Sequence, residues 1–511
     1  MVIGTVVSET LRKGDVVSEI NYFAWDLALE RPDAPCVRDD HVELSYRQFA
    51  DRALAFAERL ADRGVGAGDV VAVMLPNRAE LLIAVMAAWR VGAIPTPINP
   101  AFAESEADYQ MDDAGAVLVV NEGQQAPDGG RPTVSVDEMT AAPSPDRTWS
   151  VTPAGGDLAL LIYTSGSTGH PKGVQLTHAN LQFMADSIRS HLRVTEHDHC
   201  LLILPLFHAN AIIISFLTPM LAGGQLSITG QFSPERFLDD VSRLRPTYFS
   251  AVPAIYALLA ALPADTASDT SSLRFGICGA APISKELLDR VERRFGLAVV
   301  EGYGLTEGTC ASACNPVEGV RKIGTVGPPM PGQQVAIAGP SGEHLPIGGT
   351  GEVLIKGPNV MSGYVGRPEE TARTVVDGWL HTGDVGRFDN DGYLTVLDRM
   401  KDMIVRGGEY VYPKEIEKAL ASHPAVVEAA VIGAEHQIFG EVPVAYVVTY
   451  PDSVVTEGEL LAHAAERVPR TRVPTKVYLV DADKLPRNPV GKVDKPELRR
   501  RHMEKPLTTH S

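Results

Sequence analysis

The chain has 511 residues and carries 46 basic against 64 acidic side chains, a formal charge of −18 at neutral pH. With 44% hydrophobic and 22% charged residues it has the composition of a folded chain long enough for two or three domains, which excludes a disordered or fibrous protein. The acidic balance argues against nucleic acid or an anionic membrane surface as partner, since a face held by phosphates must be basic. A local basic pocket for a polyphosphate stays open.

The opening residues, MVIGTVVSETLRKGDVVSE, lack the apolar run of a signal peptide. The longest apolar stretches, Leu81 to Trp89 and Ala211 to Leu217, are shorter than the roughly 18–20 residues of a membrane span. A cytoplasmic protein without stable membrane insertion is expected. Further along, Ser45 with Gln48 forms a capping box, and a helical apolar period follows until Gly64. A buried strand is expected over 69–75, then a core helix over 79–89. Ser233 and Pro234 open a helix to Leu244, followed by strands at 247–252 and 274–278 and a helix from Ser284 to about Gly296. This alternation predicts an α/β fold of parallel-rich sheets covered by helices. Between 327 and 368 the Pro/Gly-rich texture predicts a β-rich subdomain with antiparallel strands. A hairpin is expected over 393–405, a helix from Pro413, strands at VVEAAVIG and VPVAYVVTY, and a helix boxed by Thr456 and Glu459. The polar cluster Asp398 to Asp402 divides a large domain, 1–399, from a small mobile α+β domain, 400–511. Cys36, Cys200, Cys278, Cys310 and Cys314 are scattered without C-x-x-C spacing and read as reduced, mostly buried thiols.

The most informative segment is Tyr163 to Gly173, YTSGSTGHPKG. Hydroxyls at Thr164, Ser165, Ser167 and Thr168, glycines at 166, 169 and 173, and Lys172 together suit a loop that wraps phosphate oxygens. A Walker A loop has its lysine directly after the last glycine and opening a helix, whereas here His170 and Pro171 intervene and a strand pattern follows. By composition alone, a flexible surface loop is the competing reading.

The ordered sequence resembles the phosphate-binding loop of the adenylate-forming superfamily, which includes acyl-CoA synthetases, aryl-CoA ligases, luciferases and the adenylation domains of peptide synthetases. Further segments follow in that family's order: LPLFHAN, CGAAP, EGYGLTEG, GWLHTGDVG, LDRMKDMIVRGGEYVYPKEIE and PRNPVGKVDK. The resemblance implies ATP, Mg²⁺ and coenzyme A as cofactor and co-substrates, and a small carboxylic acid as substrate. It implies that Thr164, Ser165, Gly166, Ser167, Thr168, Gly169 and Lys172 hold phosphates. Glu307 would coordinate Mg²⁺ and Thr306 would touch the α-phosphate. Tyr303 would stack on adenine between Gly302 and Gly304, and Gly279, Ala280 and Ala281 would line the base. Asp384 would accept from the ribose hydroxyls, with Arg399 beside it. His208 would line the route from acid to thiol. Lys492 would be brought by the small domain for adenylation, Lys401 would be the hinge, and the Gly407-Gly408 loop would meet the thiol tunnel in the second step. A plain hairpin turn is the other reading of Gly407-Gly408, and a solvated helix the other reading of the basic run at 484–505.

Segments 206–212, 250–256, 278–282 and 303–310 should line the acid pocket. They contain no lysine or arginine, which points to a hydrophobic acid and away from a dicarboxylate. A monomer or homodimer is expected. A ligase that performs one half-reaction, transfer to a carrier-protein phosphopantetheine, and a non-catalytic nucleotide-binding protein are the competing functions.

Overall fold

The computed structural model describes residues 5–7, 20–123, 126–140, 143–144, 151–164, 171–263, 266, 268–450, 453–487 and 493–504. The expected alternation of strands and helices builds two parallel-rich sheets in the large domain. The first runs, in spatial order, through Ala313–Cys314, Ala298–Tyr303, Phe275–Cys278, Tyr248–Ala251, His199–Leu202, Gln225–Ile228, Pro35–Arg38 and Glu43–Ser45. Its inner pairs are parallel and its two outermost pairs antiparallel. The second sheet is parallel throughout: Ile94–Pro97, Val70–Val73, Ala116–Asn121 and Thr133–Ser135.

The helix Ala79–Arg90 has an apolar surface all round and buries every residue from Ala79 to Trp89. That is what a helix enclosed by other elements requires. Its one buried acid, Glu80, pairs with Arg78 at 2.8 Å, and the Trp89 indole donates to the Ala159 carbonyl at 2.6 Å. The Ser45–Gln48 capping box forms as the sequence predicts, and Ser233, Ser284 and Thr456 each cap their helices.

The Pro/Gly-rich stretch yields antiparallel strands Gln334–Ala338 and Gly351–Lys356, extended by Trp379–Phe388 and Leu394–Arg399. A three-stranded antiparallel sheet joins Leu158–Thr164, Lys172–Thr177 and Gly363–Tyr364. The small domain has its own sheet, in which Ile404–Arg406 pairs with Glu409–Val411 and Val426–His436 with Gly440–Thr449, with Lys476–Leu479 added parallel. Helices Pro413–Ala421, Glu457–Ala465 and Lys495–Glu504 pack with it. Its core of Ile404, Val411, Ile416, Leu420, Val431 and Val447 is separate from that of the large domain.

One expected element is different. Residues 393–405 do not form a hairpin: Leu394–Arg399 completes the large domain's antiparallel sheet, while Ile404–Arg406 belongs to the small domain's sheet. Between them Met400–Asp402 makes one turn of 3₁₀ helix. The cause is Asp398, fully buried, whose carboxylate accepts from the Arg399 amide at 2.8 Å and from the Lys414 amide of the next helix at 2.7 Å. Those bonds take the chain onward into the small domain rather than back along its own strand. The hairpin occurs later, with Arg406 opposite Glu409 and Gly407 and Gly408 at φ +59° and +87°, the left-handed pair a two-residue turn needs. The turn reading of Gly407-Gly408 therefore holds for its backbone.

All five cysteines are free, four of them buried and Cys310 partly so. Burial pushes the Cys200, Cys310 and Cys314 thiols up to about 12. Among the described residues no helix is long and apolar enough to cross a membrane.

Candidate active site

Strands Ala298–Tyr303, Phe275–Cys278, Tyr248–Ala251 and His199–Leu202 lie side by side and point the same way. Their C-terminal ends therefore share one edge, the place where open α/β sheets hold ligands. The chain leaving those ends supplies Gly304 to Cys310, Gly279 to Ala281, Val252, and Leu204 to Asn210, the segments that the sequence assigns to adenine and acid. His208 lies on the last of these, its ring edge-on to Phe207 with centroids 4.5 Å apart.

The backbone on this edge is strained. The Ala281 amide donates to the Gly279 carbonyl at 2.9 Å, closing a tight turn around Ala280 at φ +69°. Thr309 and Cys310 follow the 3₁₀ turn Thr306–Gly308 with φ +53° and +87°. Such conformations cost about 1–3 kcal/mol each in non-glycine residues and persist only where neighbours impose them. Here the neighbours are a fully buried polar set, Thr309, Gln333 and Asn359. The Asn359 amide donates to the Gly308 carbonyl at 3.1 Å and to Gln333 Oε1 at 2.9 Å, while Gln333 Nε2 donates to the Ala311 carbonyl at 2.9 Å. The Thr309 hydroxyl donates to the Asn359 carbonyl at 2.6 Å. At Gly304 a Cβ would stand 1.8 Å from the Cys310 carbonyl oxygen, so only glycine allows the loop to close.

Two groups of polar side chains meet this edge. In the first, the Tyr303 hydroxyl donates to Asp384 Oδ2 at 2.7 Å, and Arg399 Nε lies 3.3 Å from Asp384 Oδ1. Asp384 stands opposite Arg399 in the strand pair, which is why these residues meet. Burial, and then the Asp384 carboxylate, push the Tyr303 hydroxyl well above its ordinary range, so it remains a donor. In the second group, the Tyr364 hydroxyl donates to Glu307 Oε1 at 2.9 Å. Lys172, opposite Thr164 in its hairpin, pairs with Glu370 and lies over the Tyr364 ring, 5.4 Å from the centroid.

The structure thus brings together Tyr303, Asp384 and Arg399, and separately Glu307, beside Thr306, with Lys172. Lys401 and the Gly407-Gly408 turn belong to the chain beyond Arg399. Ser165, Gly166, Ser167, Thr168 and Gly169 lie outside the described residues, as does Lys492. Of the basic run, Arg500 and Arg501 turn to Glu497 on their own helix, as a solvated terminal helix would. Sequence reasoning missed Tyr364, Glu370, Gln333 and Asn359. Asn359, Tyr364 and Glu370 lie in GPNVMSGYVGRPEET, most of it within the stretch whose Pro/Gly-rich texture predicts only turns and antiparallel strands, so it is their contacts that reveal them.

The sequence profile described as AMP-binding enzyme matches residues 25–365, and that of the AMP-binding enzyme C-terminal domain matches residues 415–492. The chain belongs to this family. It is an ATP-dependent acid–thiol ligase of the adenylate-forming superfamily, with a large N-terminal and a small C-terminal domain. Feruloyl-CoA synthase from Amycolatopsis sp. is 39% identical over 490 residues, covering 94% of this chain and 98% of that protein. ATP-bound MatB from Rhodopseudomonas palustris superposes with a TM-score of 0.86 at 32% identity, over 94% of this chain and 99% of that one. The o-succinylbenzoate-CoA synthetase of Bacillus subtilis, solved with ATP and magnesium ion, gives 0.85 at 32% identity over 93% and 99%.

Glu307 suits the magnesium ion. Mg²⁺ keeps most of its waters and takes one or two carboxylates with phosphate oxygens, and Glu307 is a partly exposed carboxylate with one oxygen bound by Tyr364. Among the described residues no group of three or more His, Cys, Asp or Glu could hold a metal.

Proposed function

We propose that this chain activates a hydrophobic carboxylic acid, aryl, alicyclic or aliphatic, and joins it to coenzyme A. A carboxylate oxygen of the acid attacks the α-phosphorus of ATP. The new O–P bond forms as the bond to pyrophosphate breaks, and pyrophosphate leaves with the electron pair. The thiolate sulfur of CoA then attacks the acyl carbon, and AMP departs. Both steps move negative charge, which donors fixed beforehand can stabilise without reorganising.

In this reading Asp384 accepts from the two ribose hydroxyls while Tyr303 and Arg399 hold it in place. The strained turn at Gly279 to Ala281 presents backbone to the flat base. Thr306 and the loop from Thr164 to Lys172 receive phosphates. Glu307 holds the magnesium ion, which when bound neutralises phosphate charge. Lys492 approaches the acid and α-phosphate in the first step. The boundary falls at 399/400, rotation about Lys401 withdraws Lys492, and the Gly407-Gly408 turn replaces it. His208 stands between acid and thiol. The protein acts in the cytoplasm as a monomer or homodimer.

The observation that carries the substrate class is the character of the strand-end edge. Leu204 to Asn210, Val252, Gly279 to Ala281 and Cys310 to Ala311 bring no lysine or arginine that could neutralise a second carboxylate. Each methylene buried there contributes about 0.8 kcal/mol, so chain-length series should differ several-fold in kcat/KM. The test is pyrophosphate release and thioester formation over a panel of acids, with and without CoA. A dianion such as malonate as best substrate would overturn the pocket assignment, and a thioester formed only on a carrier protein would overturn the acceptor.

A further inference from the structure

We propose that Tyr364 is a positioning residue that holds the metal carboxylate Glu307 and the phosphate-loop lysine Lys172 in one fixed relation. The inference rests on the reading of Glu307 as the magnesium ligand and goes beyond it, because neither the loop motif nor the metal motif includes this tyrosine.

The argument begins with the backbone. Residues 359–365 form a strap between two segments that are far apart in sequence. At one end the Met361 amide donates to the Glu307 carbonyl at 2.9 Å. At the other, Tyr364 pairs with Val174, and the Ser362 and Val365 amides donate to Gln175 and Gly173 at 3.0 and 2.9 Å. The strap therefore binds the strand that follows the phosphate loop to the turn that carries Thr306 and Glu307. Asn180 holds it from behind, donating to the Pro358 and Val360 carbonyls at 2.7 and 3.1 Å.

The Tyr364 side chain repeats this bridge where the chemistry lies. It is 8% exposed, and its own amide is bound by the Thr371 hydroxyl at 2.9 Å, so the ring has little freedom. The hydroxyl hydrogen points to Glu307 Oε1, which selects one setting of a carboxylate whose terminal torsion is otherwise broad. The face of the same ring carries the Lys172 ammonium, and Glu370 completes the seat of that lysine. One aromatic side chain thus fixes a negative group for the cation and a positive group for the phosphates. A buried tyrosine hydroxyl needs some partner, and here the partner is the carboxylate assigned to the metal while the ring face meets the lysine assigned to phosphate.

The experiment separates the two contacts. Tyr364→Phe keeps the ring and its lysine but removes the hydroxyl; Tyr364→Leu removes both. The first readout is calorimetric binding of α,β-methylene-ATP, which cannot be cleaved at the reacting bond, with and without Mg²⁺. The second is the Mg²⁺ concentration for half-maximal pyrophosphate release at saturating ATP and acid. Tyr364→Phe should reduce the Mg²⁺-dependent gain in affinity, and raise the half-saturating Mg²⁺, by about tenfold, as expected for loss of one hydrogen bond to a charged group. It should leave metal-free analogue binding within twofold. Tyr364→Leu should weaken metal-free binding as well. Conversion of synthetic acyl-AMP and CoA to thioester, which needs no pyrophosphate site, should stay within twofold in Tyr364→Phe and serves as the fold control. Glu307→Gln is the reference variant. If it alters Mg²⁺ dependence and Tyr364→Phe does not, the positioning role is overturned while the metal site stands. If Glu307→Gln itself leaves Mg²⁺ dependence unchanged, the metal reading and the proposal fall together.

Discussion

Replacing Asp384 by asparagine tests the ribose site with almost no change of shape. The carboxylate is 4% exposed, so solvent screens it little, and it already satisfies the Tyr303 hydroxyl and Arg399. Two ribose hydroxyls would add two charge-assisted hydrogen bonds, each worth about 1.5–3 kcal/mol when lost from a site with no substitute. Asparagine keeps one acceptor oxygen, so about one of those bonds should disappear, or roughly 10- to 150-fold in apparent ATP affinity. The assay is KM for ATP at saturating acid and CoA, together with inhibition by AMP and by pyrophosphate. AMP inhibition should weaken in parallel with the KM, since AMP carries the same ribose. Pyrophosphate inhibition should not move, since it lacks one. An unchanged ATP KM in a folded variant, or equal weakening by both products, would refute the assignment of Asp384 to the ribose.

Lys492→Ala should abolish most pyrophosphate release, by about 10²–10³-fold, yet convert supplied acyl-AMP and CoA normally, whereas Lys401→Pro should accumulate acyl-AMP and slow thioester formation. Chromatography of both products from each starting point decides it, and equal loss of both halves in both variants would contradict domain alternation. Gly304→Ala should lower the adenylation rate by about 10²-fold, because the methyl group cannot share space with the Cys310 carbonyl and the whole loop must move; single-turnover acyl-AMP formation measures this. Burial pulls His178 and His199 from 6.5 down to about 4, so the folded protein favours neutral rings and the unfolded chain gains protons first as pH falls. Stability should be lost between pH 6.5 and 4, by about 2 kcal/mol per histidine at pH 5, and His199→Gln should remove its share of the change in urea midpoint between pH 7 and 5.

The parts that the sequence made legible were those with local causes. Capping pairs such as Ser45 with Gln48, the all-apolar helix at 79–89 and the glycine closing the helix before Leu297 depend on neighbours within a few residues. In the candidate site the motifs named Asp384 and Glu307 themselves, and the roles given to them rest on the resemblance. Illegible were the supports supplied from elsewhere in the chain. Asn359 reaches Gly308 across 51 residues and Tyr364 reaches Glu307 across 57, and no periodicity encodes such contacts. The false hairpin at 393–405 has the same origin. Alternating residues on both sides of Met400 correctly indicate strands, but which sheet each strand joins is decided by Asp398 and its bond to Lys414.

The contacts on either side of the Lys492 segment bear on the proposed domain alternation. After the proposed hinge at Lys401, the small domain holds its last helix through ion pairs at the base of the Lys492 segment. Lys495 lies 2.8 Å from Glu417, and Arg487, at the other end of that segment, pairs with Glu428 at 2.5 Å. From the same helix Arg499 donates to the carbonyls of Lys401 and Asp402, at 3.3 and 3.1 Å. The described residues that flank Lys492 are therefore both tied to the small domain, and its last helix also holds the carbonyls of Lys401 and Asp402. If the chain turns at Lys401 as proposed, Arg487 and Lys495 should move with the rest of the small domain, since each is paired within it, to Glu428 and Glu417.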